Sequence, residues 1–105
     1  MKRYVFKMYL KSGCEAEYER RHAAIWPELV ESIKKQGVGN YSIFWDRDTN
    51  TLFGYQECVG DGNSQDQTHA DEVTQRWWDM MADLMEVNAD NSPVTTTMKE
   101  MFHLD

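Results

Sequence analysis

The apolar residues of this chain switch several times between a two-residue and a 3.6-residue period, and the order of these switches constrains the fold more than any other feature. Side chains that alternate along a segment predict a β-strand, whereas apolar residues that recur every three or four positions predict a helix. From the N-terminus the order is strand, helix, strand, strand, helix, strand. The predicted strands are 3–10, 40–46, 51–58 and 97–104, and the predicted helical segments are 14–22, 27–36 and 71–86.

Proline and glycine refine these bounds. Pro27 disfavours helical geometry in the residue before it and suits the first position of a new helix, so we expect a break near 23–27. Gly37 is expected to end the second helical piece. Gly54, inside the third predicted strand, indicates either a bulge or a close approach by another group. The residues of the second helical piece that we expect to face the core are Leu29, Val30 and Ile33.

The β-α-β-β-α-β order is typical of the ferredoxin-like split βαβ arrangement, an α+β fold. It predicts one domain over residues 1–105, with a four-stranded antiparallel sheet and helices packed on one face. The predicted strands carry more apolar surface than helices on one side can cover, in Phe6, Met8, Phe44, Phe53 and Tyr55. We therefore expect the other face to hold a ligand, a partner subunit, or both, and a two-fold dimer that closes two sheets face to face would bury it.

Composition limits the partners of such a domain. Eighteen acidic and eleven basic residues leave a formal charge of −7, which argues against nonspecific binding to nucleic acid or to an anionic membrane. No apolar run approaches the roughly 20 residues of a membrane span, and polar residues interrupt the basic N-terminus where a signal peptide would be apolar. We expect a soluble cytoplasmic protein.

Tyr18 and His22 are one helical turn apart, which puts both side chains on the same face of the first predicted helix. A histidine beside a phenol is a plausible acid–base pair, because imidazole exchanges protons near neutral pH. The alternative is a surface histidine with a tyrosine packed below it.

Trp77 and Trp78 are the second candidate feature. Trp77 falls on the apolar stripe from Val73 to Leu84, and Trp78 lies on its flank. Both could be core or dimer interface. They could also form an aromatic wall against which a sugar packs its C–H groups, with the indole N–H donating to a hydroxyl.

The sequence contains no motif for metal binding, redox chemistry, nucleotide binding or a serine nucleophile. His22, His69 and His103 have no metal-binding spacing, and Cys14 and Cys58 are too far apart in sequence for a metal knuckle or a redox CxxC. No nucleotide-binding glycine motif or serine nucleophile elbow is present. What remains is a cofactor-free, metal-free site that suits proton transfer on a neutral polar ligand.

Several segments in a fixed order point to one family. The chain resembles the L-rhamnose mutarotase family over essentially its whole length. Chains related to this family that act on L-fucose share its general layout, but the Trp-Trp pair and the segment NADNSPV favour the rhamnose branch. The matching segments are Tyr18-Glu19-Arg20-Arg21-His22, Ile25-Trp26-Pro27-Glu28-Leu29, Asn40-Tyr41-Ser42-Ile43, Gln75-Arg76-Trp77-Trp78 with Met81, Asn88-Ala89-Asp90-Asn91-Ser92-Pro93-Val94, and Phe102-His103-Leu104.

The resemblance implies a dimeric α+β barrel type of the ferredoxin-like fold, and interconversion of the α and β anomers of L-rhamnose without cofactor or metal. It implies that His22 is the catalytic acid–base residue and that Tyr18 assists it. The implied sugar-binding residues are Tyr18, Tyr41, Trp77 and Trp78. The loop 59–70 has no distinctive match to the family.

Four alternatives stay open at this point. The chain could be a mutarotase for another 6-deoxy sugar such as L-fucose, or a dimer that binds a sugar without turnover. It could also be a cofactor-free monooxygenase or a haem-degrading enzyme, since these share the architecture. A purely structural dimer with both tryptophans at the interface would bind no sugar.

Overall fold

The computed structural model describes residues 1–68 and 70–105. Its strands are β1 (Lys2–Tyr9), β2 (Val38–Asp46), β3 (Thr51–Cys58) and β4 (Thr96–Met98). Its α-helices are α1 (Glu15–Ala23), α2 (Pro27–Lys35) and α3 (Glu72–Met81), and a 3₁₀ turn over Ala82–Leu84 extends α3. The element order predicted from the sequence is therefore confirmed.

The four strands form one sheet in the order β2-β3-β1-β4, and every neighbouring pair is antiparallel. This is the strand order of the predicted ferredoxin-like α+β fold. The inward side chains of β1 and β3, among them Phe6, Met8 and Leu52, form one buried core with Leu29 of α2 and Trp77 of α3. No helix in the described part of the chain is long and apolar enough to cross a membrane.

The expected break between the first two helices is confirmed. Helix α1 ends at Ala23 and α2 begins at Pro27, which occupies the first helical position. Gly37, just after α2, has φ +85°, a left-handed conformation that glycine adopts without steric cost. The expectation for Val30 is wrong: it is only half-buried and lies outside the core, whereas Ser32 is buried and its hydroxyl donates to Asp71.

Helix α3 is shorter than the predicted 71–86. Beyond Met81 the chain tightens into the 3₁₀ turn and then pairs with the end of β1. The N–H of Lys11 donates to the carbonyl of Leu84, and the N–H of Glu86 donates to the carbonyl of Tyr9. These bonds need an extended backbone, so they end the helix although the apolar spacing continues.

The last strand is also shorter than predicted. Only Thr96–Met98 pair with β1, and the predicted continuation to residue 104 is wrong. Arg3 forms an ion pair with Glu100 at 2.7 Å, and beyond it the chain leaves the sheet. Met101, Phe102 and Leu104 are about 80% exposed.

The sequence allowed two explanations for Gly54, a bulge or a close approach by another group, and the structure shows the close approach. A Cβ atom at this position would lie 2.5 Å from Cζ of Phe6, so the Phe6 ring occupies the place of the missing side chain. The centroid of the Phe6 ring lies 6.3 Å from the centroid of the Tyr41 ring on β2. The bulge is elsewhere, between Gly39 and Ser42. Gly54 therefore lets Phe6 support Tyr41.

We predict that Gly54→Ala lowers the free energy of unfolding by about 1–3 kcal/mol, because the new methyl group overlaps the Phe6 ring. Gly39→Ala is the matched control, since a Cβ there meets nothing within 4 Å. It should change stability by less than about 0.5 kcal/mol. Urea denaturation measures both values, and equal effects of the two substitutions would contradict this packing.

Candidate functional site

A cavity of about 700 Å³ lies between the helix-covered face of the sheet and the helices. This volume falls within the range of small-molecule sites. The sheet forms the floor of the cavity, and α1, α2 and α3 form its walls. The lining side chains from the sheet include Met8, Tyr41, Ile43, Trp45 and Leu52, and those from the helices include Tyr18, His22, Leu29, Ile33, Trp77, Trp78 and Met81.

Tyr18 and His22 meet on the inner face of α1, as the four-residue spacing predicts. Their rings stack with centroids 4.3 Å apart and an interplanar angle of 26°. Nδ1 of His22 lies 3.1 Å from the backbone carbonyl oxygen of Tyr18. Of the two interpretations of this pair, the surface histidine is wrong, because His22 is half-buried and lines the cavity.

The contact with Tyr18 fixes the tautomer of His22. A carbonyl oxygen only accepts hydrogen bonds, so Nδ1 must carry a proton. In the neutral ring Nε2 is then left with a lone pair, which is the form of a general base. Burial lowers the pKa of His22, and the hydrogen bond to the Tyr18 carbonyl opposes this only in part. The imidazole is thus held in its neutral, proton-accepting form near neutral pH.

The two tryptophans are both buried in the core and both line the cavity, so their place in the core leaves them able to form an aromatic wall. The indole of Trp77 meets the His22 ring edge-on, with centroids 5.3 Å apart. Trp26 supports Trp77 from behind, also edge-on, at 5.2 Å. These contacts leave His22 clamped between Tyr18 and Trp77.

Both tyrosines of the cavity keep their protons. Burial raises the pKa of Tyr18 well above 10, and the nearby Tyr41 adds to this shift. Burial raises the pKa of Tyr41 to about 12, although hydrogen bonding with Ser64 and Gln65 acts in the opposite direction. Each phenol can therefore donate a hydrogen bond to a ligand at any physiological pH.

Arg21 fastens α1 to the end of α3. Its guanidinium contacts Glu17 on its own helix at 2.7 Å, and across the helices Asp83 and the carbonyl of Met80 at 2.9 and 2.8 Å. These neighbours raise the pKa of Arg21, with Asp83 the largest cause. Arg21 therefore holds His22, the next residue on α1, in register with Trp77.

The charge of the cavity favours a neutral ligand. Among the described residues that line it there is no lysine or arginine, and the acids Glu15 and Glu19 are the charged ones. A phosphate or carboxylate would find no cationic partner there. Hydroxyl-rich molecules with an apolar face fit both the aromatic walls and the few polar groups.

Sequence reasoning missed part of the site. The loop 59–70 offers no distinctive match in the sequence, yet Ser64 is buried, and both Ser64 and Gln65 line the cavity. No pattern in the sequence distinguishes these two residues from their polar neighbours. Ile43 and Trp45 were also missed, although they alternate with Tyr41 along β2 and a period-2 pattern could have found them.

The described residues contain no group of three or more His, Cys, Asp and Glu side chains that could hold a metal ion. Cys14 and Cys58 are free thiols, and His103 lies in the C-terminal tail, where it contacts Asp105. His69 lies outside the described residues.

Comparison with known proteins gives one consistent result. A sequence model of the L-rhamnose mutarotase family matches residues 3–104. L-rhamnose mutarotases from Bacteroides thetaiotaomicron and Phocaeicola vulgatus are 60% and 58% identical to this chain, in each case over the whole of both chains. The crystal structure of an L-rhamnose mutarotase from Formosa agariphila is similar over the whole of both chains, with a TM-score of 0.90 and 44% identity.

We predict that His22 titrates at a pH below the 6.5 of an unperturbed histidine, because burial disfavours its charged form. Following the histidine ring signals by NMR against pH measures the midpoint, and a His22→Gln variant identifies the signal. A midpoint at or above 6.5 would contradict the burial of this imidazole.

Proposed function

The chain belongs to the L-rhamnose mutarotase family, and we propose that it interconverts the α and β anomers of L-rhamnose in the cavity beside His22. It is thus an isomerase that acts on a carbohydrate. The observation that carries the proposal is the imidazole of His22, with Nδ1 hydrogen-bonded to the Tyr18 carbonyl and Nε2 available, on the wall of an aromatic cavity that has no lysine or arginine among its described lining residues.

Anomer exchange needs two proton transfers at the hemiacetal. A base takes the proton of the anomeric hydroxyl while the ring oxygen gains a proton, and the bond between C1 and the ring oxygen breaks. The resulting aldehyde rotates about C1–C2, and the ring closes on its other face by the reverse steps. No electron is gained or lost, so one acid–base group and a bound sugar are chemically sufficient.

We assign the first proton transfer to His22, with Nε2 as the atom that exchanges a proton with the anomeric hydroxyl or the ring oxygen. The imidazolium that forms can return its proton in the next step, and water can serve as the second donor. Tyr18 packs against the imidazole and orients it, and the Tyr18 hydroxyl is available to position the sugar or relay a proton.

The remaining site residues bind the sugar. Tyr41 offers a phenolic O–H from the floor of the cavity. Trp77 and Trp78 provide flat apolar surfaces for the C–H face and the methyl group of a 6-deoxy sugar. Aliphatic side chains on the same walls, such as Ile25 and Leu29, suit a methyl group better than a charged substituent.

We predict that His22→Ala lowers the enzymatic rate of anomer exchange by about 10²–10⁴-fold, the usual contribution of a single general acid–base group. Saturation-transfer NMR of L-rhamnose at anomeric equilibrium measures this rate directly. Arg20→Ala is the control, because Arg20 is an exposed residue of the same helix and does not line the cavity. It should exchange the anomers as fast as the wild type.

Two outcomes would count against the proposal. Full exchange by the His22→Ala protein would remove His22 from the mechanism. If the sugar changes the tryptophan fluorescence but the wild-type protein does not accelerate anomer exchange, the chain is a sugar-binding protein and not an enzyme. The same assay on L-fucose, L-mannose and L-lyxose identifies the preferred sugar, and faster exchange of L-fucose would favour the related branch.

We further propose that the protein works as a homodimer. The sheet face opposite the helices carries Met98, which is 40% exposed, and Phe44, which is 65% exposed and also borders the cavity. The apolar C-terminal tail starts from the Arg3–Glu100 ion pair at this face and is exposed as well. A second copy of the chain, related by a two-fold axis, would cover both. A cytoplasmic location stays a prediction from the sequence.

We predict a mass of twice 12.4 kDa by light scattering after size exclusion at micromolar concentration. Phe102→Asp should shift the protein towards the monomer, because the new charge would be buried at the interface, while the exposed tail leaves the fold of each subunit unchanged. A wild-type protein that is only monomeric would contradict the dimer.

A further inference from the structure

Trp45 on β2 lines the cavity and takes no part in the mechanism above. It alternates along the strand with Tyr41 and Ile43, which line the same cavity. Its partner across the sheet is the buried Leu52 of β3, so its side chain lies on the helix-facing side. Trp45 is 39% exposed, whereas Trp77 is 8% exposed. A lining residue that reaches solvent in this way lies where the cavity opens.

The indole N–H of Trp45 is already bonded within the protein. Nε1 of Trp45 donates to Oδ1 of Asn50 at 3.0 Å. Nδ2 of the same amide donates to the backbone carbonyl of Leu10, also at 3.0 Å. An indole N–H only donates and a carbonyl oxygen only accepts, so this orientation of the Asn50 amide is the one that satisfies both bonds. Trp45 therefore has no free donor for a ligand.

The turn that presents Asn50 is held by its own hydrogen bonds. The two carboxylate oxygens of Asp46 accept from the backbone N–H of Asp48 and from the hydroxyl of Thr49, both at 3.0 Å. Asn50 has φ +54°, a left-handed conformation that asparagine tolerates. Its carbonyl accepts from the N–H of Leu10 at 3.3 Å. The acceptor of the Trp45 N–H is thus in place before any ligand binds.

The ring of Trp45 offers the cavity an apolar surface. Its single polar atom is bonded to Asn50, so only carbon atoms of the indole remain for a ligand. Arg47, which is exposed and does not line the cavity, has its Cζ atom 6.0 Å from the ring centroid. An aromatic ring without a free donor suits the C–H groups of a sugar and not its hydroxyls.

We propose that Trp45 is a third tryptophan of the sugar site, and that its ring, held by Asn50, is an apolar platform at the cavity opening on which the C–H groups of L-rhamnose pack. The inference rests on the proposed function, since it concerns the same cavity. Trp45 contributes to binding and not to proton transfer, because its one exchangeable proton is bonded to Asn50. Asn50 is a positioning residue that acts on the sugar through Trp45.

Trp45→Leu tests the platform, because leucine keeps an apolar side chain and removes the aromatic ring. It should raise the Kd for L-rhamnose, measured by calorimetry, and the KM for anomer exchange by about 3- to 10-fold, the scale of one aromatic contact. The kcat should change by less than about 2-fold, since a contact made equally in the ground state and the transition state affects binding alone. Trp45→Phe is the matched control: it keeps a ring and should keep most of the affinity.

A double-mutant cycle tests the role of Asn50. Asn50→Gly removes the acceptor of the indole N–H, and glycine adopts φ +54° without steric cost. In the wild-type background it should raise KM by about 3-fold, the effect of one lost neutral hydrogen bond. In the Trp45→Phe background it should leave KM unchanged, because phenylalanine has no N–H. Equal effects in both backgrounds would overturn the positioning role of Asn50.

Fluorescence quenching reports on the ring itself. Trp45 is the most exposed of the four tryptophans. Saturating L-rhamnose should therefore reduce acrylamide quenching of the wild-type protein, because the bound sugar covers the Trp45 ring. The Trp45→Phe protein should show much less of this protection. Equal protection of both proteins would contradict a sugar packed on Trp45.

The inference would be overturned by unchanged Kd and KM in folded Trp45→Leu protein, by a loss of kcat without a change in KM, or by equal losses from leucine and phenylalanine. Should Trp45→Leu not fold, the quenching of the wild type and of Trp45→Phe decides. These results differ from a failure of the proposed function, in which the wild type itself would not accelerate anomer exchange. The Kd and the quenching would still report whether L-rhamnose packs on Trp45 in that case.

Discussion

Two side chains one helical turn apart hold each other in place at the centre of this structure. The rings of Tyr18 and His22 stack at 4.3 Å, and Nδ1 of His22 is committed to the Tyr18 carbonyl. Trp77 closes the far side of the imidazole, and Arg21 fastens α1 to the end of α3. Nε2 is left as the basic atom of a half-buried, neutral ring.

The sheet supplies the complementary half of the site. Because Gly54 has no side chain, Phe6 can lie across β3 and support Tyr41, and the bulge at Gly39 and Ser42 lies next to Tyr41 in β2. The two halves make a cavity with proton-bearing phenols, aromatic walls and no lysine or arginine among its described lining residues. Such a cavity suits a neutral sugar, because phosphate or carboxylate groups would have to leave water without a cationic partner.

Local sequence patterns predicted the parts of the fold that depend on local order. The period-2 and 3.6 spacings, Pro27 and Gly37 indicate the element order and most of the bounds, and the Tyr18–His22 spacing predicts that these two side chains meet on one face of α1. The errors lie where contacts distant in sequence decide the outcome. Pairing of residues 84–86 with the end of β1 ends α3 early, and the Arg3–Glu100 ion pair marks where β4 leaves the sheet. Ser64 enters the wall because Gln56, eight residues away, binds it.

The central claim is that a sugar lies in the cavity with its hemiacetal carbon beside the neutral imidazole. A crystal structure of the protein grown with L-rhamnose tests this most directly. The account predicts electron density for the sugar between Tyr41 and the two tryptophans, with the anomeric or ring oxygen within hydrogen-bonding distance of Nε2 of His22. A sugar bound elsewhere, or bound with C1 turned away from His22, would contradict it.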